Sequence, residues 1–408
     1  MFASTRAGGT SRRKNLPQAD IWRMAPDGSG AERMTFLSNT EMSPQFMRDG
    51  RVTMTTEKVD PFNPATGFYQ LSGRRLNWDL TDYHPLLGQR AISPVKPAAP
   101  GGETRPSFDF QQVTEIREGF DGNFVVVLSD DGARAGAGTL GIFNRSVGPF
   151  ESGRNDPGYL VSLKIPDPAA TGKGPTQGAY RSPFPLLDGS ILASYAAGNF
   201  DLTSTSSLDF DLVSVNPRTG ARTVILAAPG AQVEAVLALA HEPRLLYYNR
   251  RQLVFGGRQD QTDPDHAIAY FPSVYVVATL LGSNLRRGRF IEDMMGGDHL
   301  VAYDGNGTEV GAVPLNGDGS TKIRVPAAIP LALGLRAGTT DLFRMSEEHQ
   351  FGPGESISLG IPAGMFNAVC AGCHGSLSGS ELDILVSPDV LTGASQSEAA
   401  TQAPISVP

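Results

Sequence analysis

A strand–turn–strand pattern occurs twice in this chain and limits the folds that the chain can adopt. Residues 43–47 lead through Asp49-Gly50 into residues 51–56, and residues 182–195 are a near copy of that stretch. In each copy an Asp-Gly pair, which favours a tight turn, separates two runs rich in apolar and β-branched residues. Because one such hairpin cannot bury its apolar side chains alone, the recurrence predicts several sheets that pack against one another.

The first copy belongs to a longer module of four strands. Residues 20–24 and 32–35 flank an Asp27-Gly28 turn and precede the first copy. The whole module spans about forty residues, which is the size of one propeller blade. The same order of strand and turn returns less regularly at residues 110–128 and 209–226. We therefore predict about four blades or parts of blades around a central axis. The Asp-Gly pairs lack the oxygen spacing of a calcium loop and are interpreted as turns.

The pattern changes from about residue 251 onwards. Residues 266–281 form a long β-branched and aromatic run, which favours strand, and residues 299–313 are typical of a hairpin. Two further strands follow, at residues 321–326 and 330–335. Together these runs predict a compact β-sandwich-like domain.

Directly after this domain lies a motif that contains both cysteines of the chain. Cys370 and Cys373 are three positions apart, and His374 follows the second of them. C-x-x-C-H is the pattern of covalent haem attachment. Two thiols on one tight helical turn face the same way, so that each can form a thioether with one vinyl group of the porphyrin. The motif predicts one haem c, held by Cys370 and Cys373, with His374 as the proximal ligand of its iron.

Three other interpretations of the motif stay open. A structural zinc site needs four ligands, yet the chain has no further cysteine and no H-x(3–5)-H after the motif. A thioredoxin-like redox pair would need a βαβ context, whereas residues 352–362 are typical of turn, strand and loop. A chance match, or a plain disulfide between Cys370 and Cys373, is the third alternative.

The sixth ligand of such an iron is not evident from the residues after the motif. No methionine, histidine or lysine follows His374. The sixth position is therefore open, water-filled, or supplied from upstream or by another chain. Met345, His349 and Met365 are the nearest upstream candidates, followed by His299, Met294 and Met295. For His349 the alternative is an exposed polar residue, and for Met365 it is a core or loop residue.

Composition excludes several other classes of function. The chain has 408 residues, 42 acidic against 34 basic side chains and a net charge of −8, which argues against nucleic acid or an anionic membrane surface as a partner. No apolar run approaches the ~18 residues of a membrane span. No Gly-rich phosphate loop, G-x-S-x-G elbow or H-E-x-x-H run occurs. The partners expected are a redox partner protein or other subunits.

The motif also bears on the compartment in which the protein works. Covalent haem is attached on the far side of the inner membrane, but residues 1–9 lack the apolar region of an export signal. We expect a periplasmic or otherwise extracytoplasmic protein. We also expect the chain to begin inside a domain, with the export signal carried by a longer parent protein.

Two resemblances agree with these predictions. The order I-W-x-M-x-x-D-G-S-G, followed by S-P-x-F-x-x-D-G-R-V, resembles the blades of TolB-like β-propellers. Such blades, then R-V-P-A-A-I-P-L-A-L at residues 324–333, P-G-E at 353–355 and the C-x-x-C-H motif, resemble proteins related to the alpha subunit of hydrazine synthase. Residues 182–195, 234–236 and 281–289 are similar as well.

The resemblance to the hydrazine synthase family implies a propeller followed by a middle domain that bears a c-type haem. It implies that Cys370 and Cys373 form the thioethers and that His374 is the motif histidine. In hydrazine synthase itself a tyrosine shortly after the motif is thought to bind the iron, while the motif histidine holds a zinc. Here Gly375-Ser376-Leu377-Ser378 follows, and no tyrosine occurs before the end of the chain. We therefore expect a relative that does not form hydrazine.

The expected fold is all-β. It consists of a TolB/WD40-like β-propeller, incomplete at its N-terminus, over residues 1–245 and a β-sandwich-like middle domain over 246–362. A haem-attachment segment follows at 363–390, and then a disordered tail at 391–408. The expected function is electron transfer or haem-based redox catalysis. The alternative is a TolB-like propeller that serves as a binding or scaffold module, with incidental cysteines and no redox role.

Overall fold

The structure is a computed structural model of the whole chain. It describes residues 1–12, 16–62, 69–87, 110–130, 132–133, 136–143, 163–205, 207–238, 258–259, 262–281, 294–345, 347–360 and 397–407. Nearly all regular structure in these ranges is β-strand, as predicted. No helix in them is long and apolar enough to cross a membrane.

The first half of the chain forms three sheets, which are antiparallel apart from one pair of strands. Its strands are β1 (Phe2–Ser4), β2 (Asp20–Arg23), β3 (Glu32–Arg33), β4 (Glu41–Phe46), β5 (Val52–Val59), β6 (Tyr69–Leu76), β7 (His84–Leu87), β8 (Gln112–Glu118), β9 (Phe124–Ser129), β10 (Thr139–Phe143), β11 (Pro175–Pro185), β12 (Ile191–Asp201), β13 (Asp211–Val215) and β14 (Arg222–Leu226). The sheets contain β1–β3, β4–β10 and β11–β14. Within the second sheet, the group β4–β7 meets β8–β10 through a single parallel pair between β6 and β8.

Apolar side chains join each group of strands to the next, face to face. Ile21 of β2 shares a core with Val52 of β5 and Leu76 of β6. Further along, Leu140 of β10 packs in one core with Val213 of β13. Stacking of successive small antiparallel sheets is the arrangement of propeller blades. The predicted all-β, propeller-like fold is confirmed.

The Asp-Gly pairs form the turns that the sequence predicts. The carboxylates of Asp49, Asp121 and Asp188 each accept the backbone N–H of the residue two positions later, at 2.9–3.1 Å. The glycine after each of them has a φ of 81–86°, a left-handed conformation that only glycine adopts without a steric penalty. These aspartates therefore shape hairpins between the first two strands of each blade.

A second repeated feature lies six residues before each of these aspartates. Ser43, Glu115 and Ser182 occupy bulges in β4, β8 and β11, and their φ values are 49–54°. Glu234, in the stretch after β14, has a φ of 58°. Non-glycine residues rarely adopt this conformation. Ser43, Glu115, Ser182 and Glu234 are called the bulge residues below.

The second half forms two sheets that enclose one core. Its elements are β15 (Arg258–Gln259), β16 (His266–Phe271), α1 (Val274–Leu281), β17 (His299–Asp304), β18 (Glu309–Pro314), β19 (Thr321–Pro326), β20 (Leu331–Ala337), β21 (Thr340–Arg344), β22 (Glu355–Ser358), a 3-10 turn (Glu398–Thr401) and β23 (Ile405–Ser406). One sheet has the order β15-β22-β16-β19-β23, and the other has the order β18-β17-β20-β21. Phe271 and Ile323 of the first sheet share a core with Val301 and Leu335 of the second. This is the β-sandwich-like arrangement that the sequence predicts.

The strand expected over residues 266–281 is correct only for its first part. After β16 the chain turns at Pro272, and residues 274–281 form helix α1. The hydroxyl of Ser273 accepts the N–H of Val276 at the start of the helix, which is the position of an N-cap. Val274 and Val276 are buried in the core of the sandwich, so that tertiary packing outweighs their preference for strand.

The expectation of a disordered tail is wrong for residues 397–407. Strand β23 pairs in parallel with β19, and Val407 is buried in the sandwich core. The ammonium group of Lys322 donates hydrogen bonds to the backbone oxygens of Ala400 and Gln402, at 2.7 and 2.9 Å. The docking of the tail could not be predicted from its polar, proline-containing composition, because only a few residues of the tail make the contacts that hold it.

Val407→Ala tests whether the tail contributes to the fold. Removing two methyl groups from a core position should lower the free energy of unfolding by about 1–3 kcal/mol. Ile405→Ala is the matched control, because Ile405 lies on the same stretch and is 40% exposed. The control should change stability by less than about 0.5 kcal/mol. Equal midpoints of chemical denaturation for Val407→Ala and wild type would contradict the docking of this tail.

Candidate functional site

The predicted haem-attachment residues lie outside the described part of the chain. Cys370, Cys373, His374 and the upstream candidate Met365 all fall within residues 361–396. Their roles stay predictions. Of the three nearest upstream candidates the other two, Met345 and His349, are described, and they lie at the junction between the two halves of the molecule.

Residues 347–355, called the bridging segment, connect β21 to β22 and contact both halves. Its backbone belongs to the sandwich, since the N–H of His349 donates to the oxygen of Leu331 at 2.7 Å and the carbonyl oxygen of His349 accepts the N–H of Leu331 at 2.9 Å. Its side chains reach the propeller-like half. Gln350 accepts the N–H of Phe36 at 2.7 Å and donates to the oxygen of Met34 at 3.2 Å. The segment therefore joins parts of the chain that lie about three hundred residues apart in sequence.

Glu347 forms the most buried ion pairs of this junction. Its carboxylate contacts the guanidinium of Arg74 and lies 2.7 Å from the ammonium of Lys58. The three side chains are 10%, 5% and 4% exposed, respectively. Charges removed from water to this extent are stable only when they are paired. Glu347 is thus the counter-ion that allows β5 and β6 to carry two buried cations.

A buried carboxyl group lies beside these cations on β4. The hydroxyl groups of Tyr83 and Thr56 donate to Oε1 of Glu41, at 2.8 and 3.0 Å. Burial disfavours the charged form and raises the pKa of Glu41 to about 7. The guanidinium of Arg74 also lies 5.5 Å from the centre of the Tyr83 ring. Glu41 and Tyr83 therefore form a proton-holding pair next to the bridging segment.

His349 is enclosed by aromatic rings. Its imidazole meets the rings of Tyr83 and Phe351 edge-on, with centroids 5.9 and 4.8 Å away. Burial and the charge of Arg74 lower the pKa of His349 to about 4, so that the ring is neutral at pH 7. Neither ring nitrogen forms a hydrogen bond within the described ranges. The alternative of an exposed polar residue is wrong, because the side chain is partly buried at the junction.

Met345 lies on the sandwich side of the same junction. It is 8% exposed and belongs to the hydrophobic core, where its backbone N–H donates to the oxygen of Leu333 at 2.8 Å. The structure therefore places Met345 and His349 near one another in sequence but in different surroundings. Met345 is a core residue, whereas His349 carries a neutral imidazole that has no hydrogen-bond partner in the described ranges.

A second carboxyl group with a raised pKa closes the bridging segment. Glu355 accepts the backbone N–H groups of Asp82 and Gly352, at 2.8 and 2.7 Å. Burial nevertheless raises its pKa to about 8. Gly352 lies against the backbone of Leu80, so that no side chain fits at its position. The junction is thus closely packed as well as polar.

Sequence reasoning missed most of this cluster. Glu41, Lys58, Arg74, Tyr83 and Glu347 lie in four separate parts of the sequence, and none belongs to a recognisable motif. The one local signal is the polar run at residues 346–350, which is unusually charged for a link between two strands. No group of three or more His, Cys, Asp or Glu side chains that could hold a metal ion occurs among the described residues.

Glu347→Gln tests the buried ion pairs. The substitution leaves Arg74 and Lys58 without their counter-ion, which should lower the free energy of unfolding by about 3–5 kcal/mol. Glu32→Gln is the matched control, because it removes the partner of Arg23 at a side chain that is 53% exposed. An exposed pair contributes at most about 1 kcal/mol. Similar denaturation midpoints for the two variants would show that the junction does not depend on Glu347.

Glu355→Gln tests the raised pKa of the buried carboxyl group. The folded protein keeps a proton on Glu355 up to about pH 8, whereas the unfolded chain releases it near 4.5. Stability should therefore fall as the pH rises through this window. His349 acts in the opposite sense, from its pKa of about 4 up to 6.5. The difference in the free energy of unfolding between wild type and Glu355→Gln therefore reports the contribution of Glu355.

The wild-type advantage over Glu355→Gln should accordingly shrink from pH 5 to pH 8, within the window set by that carboxyl group. Glu309→Gln is the control, because Arg336 lowers the pKa of Glu309, and its contribution changes only at lower pH. Urea denaturation at each pH gives the required stabilities. A difference that is constant over this range would contradict the assignment.

Comparison with known proteins gives a likeness of fold. No protein-family model matches the sequence, and no curated protein matches it. A structure of hydrazine synthase from Kuenenia stuttgartiensis matches 94% of this chain at a TM-score of 0.56 and 13% identity. This chain spans 53% of that one. TolB from Acinetobacter baumannii matches 54% of this chain and 40% of its own at a TM-score of 0.31 and 12% identity. The first match supports the expected resemblance at the level of the fold, and the second is too distant to add to it.

Proposed function

We propose that this protein carries one covalently bound haem c and acts in electron transfer or haem-based redox catalysis. The observation that carries the proposal is the C-x-x-C-H motif, which uses the only two cysteines of the chain. The likeness of fold to hydrazine synthase supports it, although that likeness says nothing of a cofactor. A haem of this type is attached after export, so the proposal includes a periplasmic or otherwise extracytoplasmic location.

Cys370 and Cys373 would hold the porphyrin, and His374 would bind its iron. The iron would supply one-electron chemistry at a potential set by its ligands and surroundings. His349 fits the requirements of a sixth ligand, because its imidazole is neutral at pH 7 and neither ring nitrogen has a hydrogen-bond partner among the described residues. Met345 and Met365 are the other candidates. Met345 would have to leave the sandwich core to serve.

The proposal does not extend to the formation of hydrazine. The tyrosine ligand that the family resemblance would require is missing after His374. The chain also spans about half the length of the hydrazine synthase chain that it matches. The reaction and the partners of a whole protein are therefore separate proposals. For the partner, we propose a redox protein or further subunits that exchange electrons with the haem.

Intact-mass measurement tests the attachment of haem. The full-length protein, matured in a host with the attachment machinery, should be heavier than its bare chain by one haem. Its Soret band should stay with the polypeptide after acid–acetone extraction. The double variant with Cys370→Ala and Cys373→Ala should lose both signals, whereas Met345→Leu, which changes a core residue and no cysteine, should keep them. A bare, colourless wild-type chain would leave only the scaffold interpretation.

The spectrum of the same preparation then assigns the sixth ligand. A low-spin iron that becomes high-spin in His349→Ala, but not in Met345→Leu, would identify His349. A wild-type iron that is high-spin and responds to small ligands indicates an open position suited to catalysis. An unchanged low-spin spectrum in both variants would exclude His349 and Met345 and leave Met365, His299, Met294, Met295 or another chain.

A further inference from the structure

Three of the bulge residues, Glu115, Ser182 and Glu234, form a polar cluster between neighbouring blades. The first strands of successive blades lie side by side, and one carboxylate oxygen of Glu115 on β8 accepts the N–H of Ser182 on β11 at 2.5 Å. The hydroxyl of Ser182 in turn donates to Glu234 at 3.1 Å. Each of these three residues has a left-handed backbone. Such strained positions often occur where a protein holds a ligand.

Two arginines enter this cluster and are only partly paired. Arg181 lies 3.7 and 3.9 Å from the carboxylates of Glu115 and Glu234, and Arg117 lies 3.8 Å from Glu234. All three distances exceed that of a charged hydrogen bond. Elsewhere in the chain Arg33 and Arg75 approach their carboxylates to 2.8 and 2.7 Å. The two arginines thus lie beside acidic groups without forming close charged hydrogen bonds to them.

The N–H donors of these two arginines are also incompletely paired. Within the described residues Arg117 donates one side-chain hydrogen bond, to Gln45 at 2.8 Å. The Nε atoms of both Arg117 and Arg181 are buried, and neither has an acceptor in this part of the chain. Burial lowers the pKa of Arg117, as expected of a guanidinium that receives little electrostatic stabilisation from its neighbours. A buried N–H without an acceptor is costly, so the present neighbours of these two guanidinium groups do not satisfy them fully.

Aromatic rings hold both guanidinium groups in place. Arg117 lies over Phe184 at 5.4 Å, and Arg181 lies over Phe210 at 5.9 Å. Their side chains are 13% and 29% exposed, so that the pair is fixed but still reachable from solvent. Glu234 is different, because its side chain is 58% exposed. It is the member of the cluster that can move away without disturbing a core.

We infer that Arg117 and Arg181 form a binding site for a carboxylate group, and that Glu234 is its displaceable internal occupant. The planar fork of an arginine matches a carboxylate in geometry as well as in charge. A ligand carboxylate that enters between the two arginines would accept hydrogen bonds from their Nη2 atoms, which lie 3.8 and 3.9 Å from Glu234, and would release Glu234 to solvent. Its source is either a free organic acid or the acidic chain end of a partner protein.

Titration calorimetry with sodium succinate tests the site, with succinamide as its neutral counterpart. Succinate should bind and succinamide should not. Arg117→Met and Arg181→Met should each weaken binding by about tenfold or more, the equivalent of one lost charged hydrogen bond. Arg23→Met is the matched control, because Arg23 also lies over an aromatic ring, that of Trp78, but is paired with Glu32 at 2.7 Å. Glu234→Gln should tighten binding by removing the competing carboxylate.

A second arm distinguishes the two sources of the carboxylate. A blocked acidic tetrapeptide with a free C-terminus is compared with its amidated form. Tighter binding of the free-acid peptide than of succinate assigns the site to a protein partner, and the reverse assigns it to a free acid. If the methionine variants fail to fold, Arg117→Lys and Arg181→Lys keep the charge but lose the fork. Absence of binding to both probes, or equal binding in wild type and all arginine variants, would overturn the inference.

Discussion

The contact of Glu347 with Arg74 and Lys58 is the interaction on which the arrangement of the two halves depends. Two cations on neighbouring strands of the propeller-like half are nearly removed from water, and their counter-ion comes from the sandwich. Because an unpaired buried charge is far more costly than a lost apolar contact, this arrangement permits few alternatives. The hydrogen bonds that the bridging segment forms nearby further restrict how the two halves can be oriented. The two halves therefore meet in one defined way.

That defined junction has a consequence for the proposed haem site. The bridging segment ends in β22, which the sandwich holds on both sides, and Gly360 beyond it lies against Val277 of helix α1. Residues 347–360 are thus held by contacts with both halves of the molecule. The neutral imidazole of His349 lies within this anchored stretch. A site supported by rigid elements keeps its geometry, so this stretch would suit the proposed haem.

The cluster of Glu115, Ser182 and Glu234 pairs its charges in a different way. At the junction Arg74 and Lys58 both lie within hydrogen-bonding distance of Glu347, and this suits a permanent contact. At the bulge residues the ion pairs are loose, Arg117 and Arg181 keep free donors, and Glu234 is exposed. Incomplete pairing over a strained backbone is suited to an exchangeable ligand. One scaffold therefore combines a closed polar interface with an open polar cluster.

The sequence by itself determined the repeated hairpins, the Asp-Gly turns, most strands of the sandwich and the C-x-x-C-H motif. All of these are local patterns, in which the informative residues lie within a few positions of one another. Tertiary structure alone decided that residues 274–281 are helical, that residues 397–407 dock as a strand, and that Glu347 neutralises Arg74. Each depends on contacts between residues far apart in the chain, and a single sequence carries no record of such pairings. The cluster at the junction could not be predicted for this reason, because burial and partners, rather than residue types, make its charges unusual.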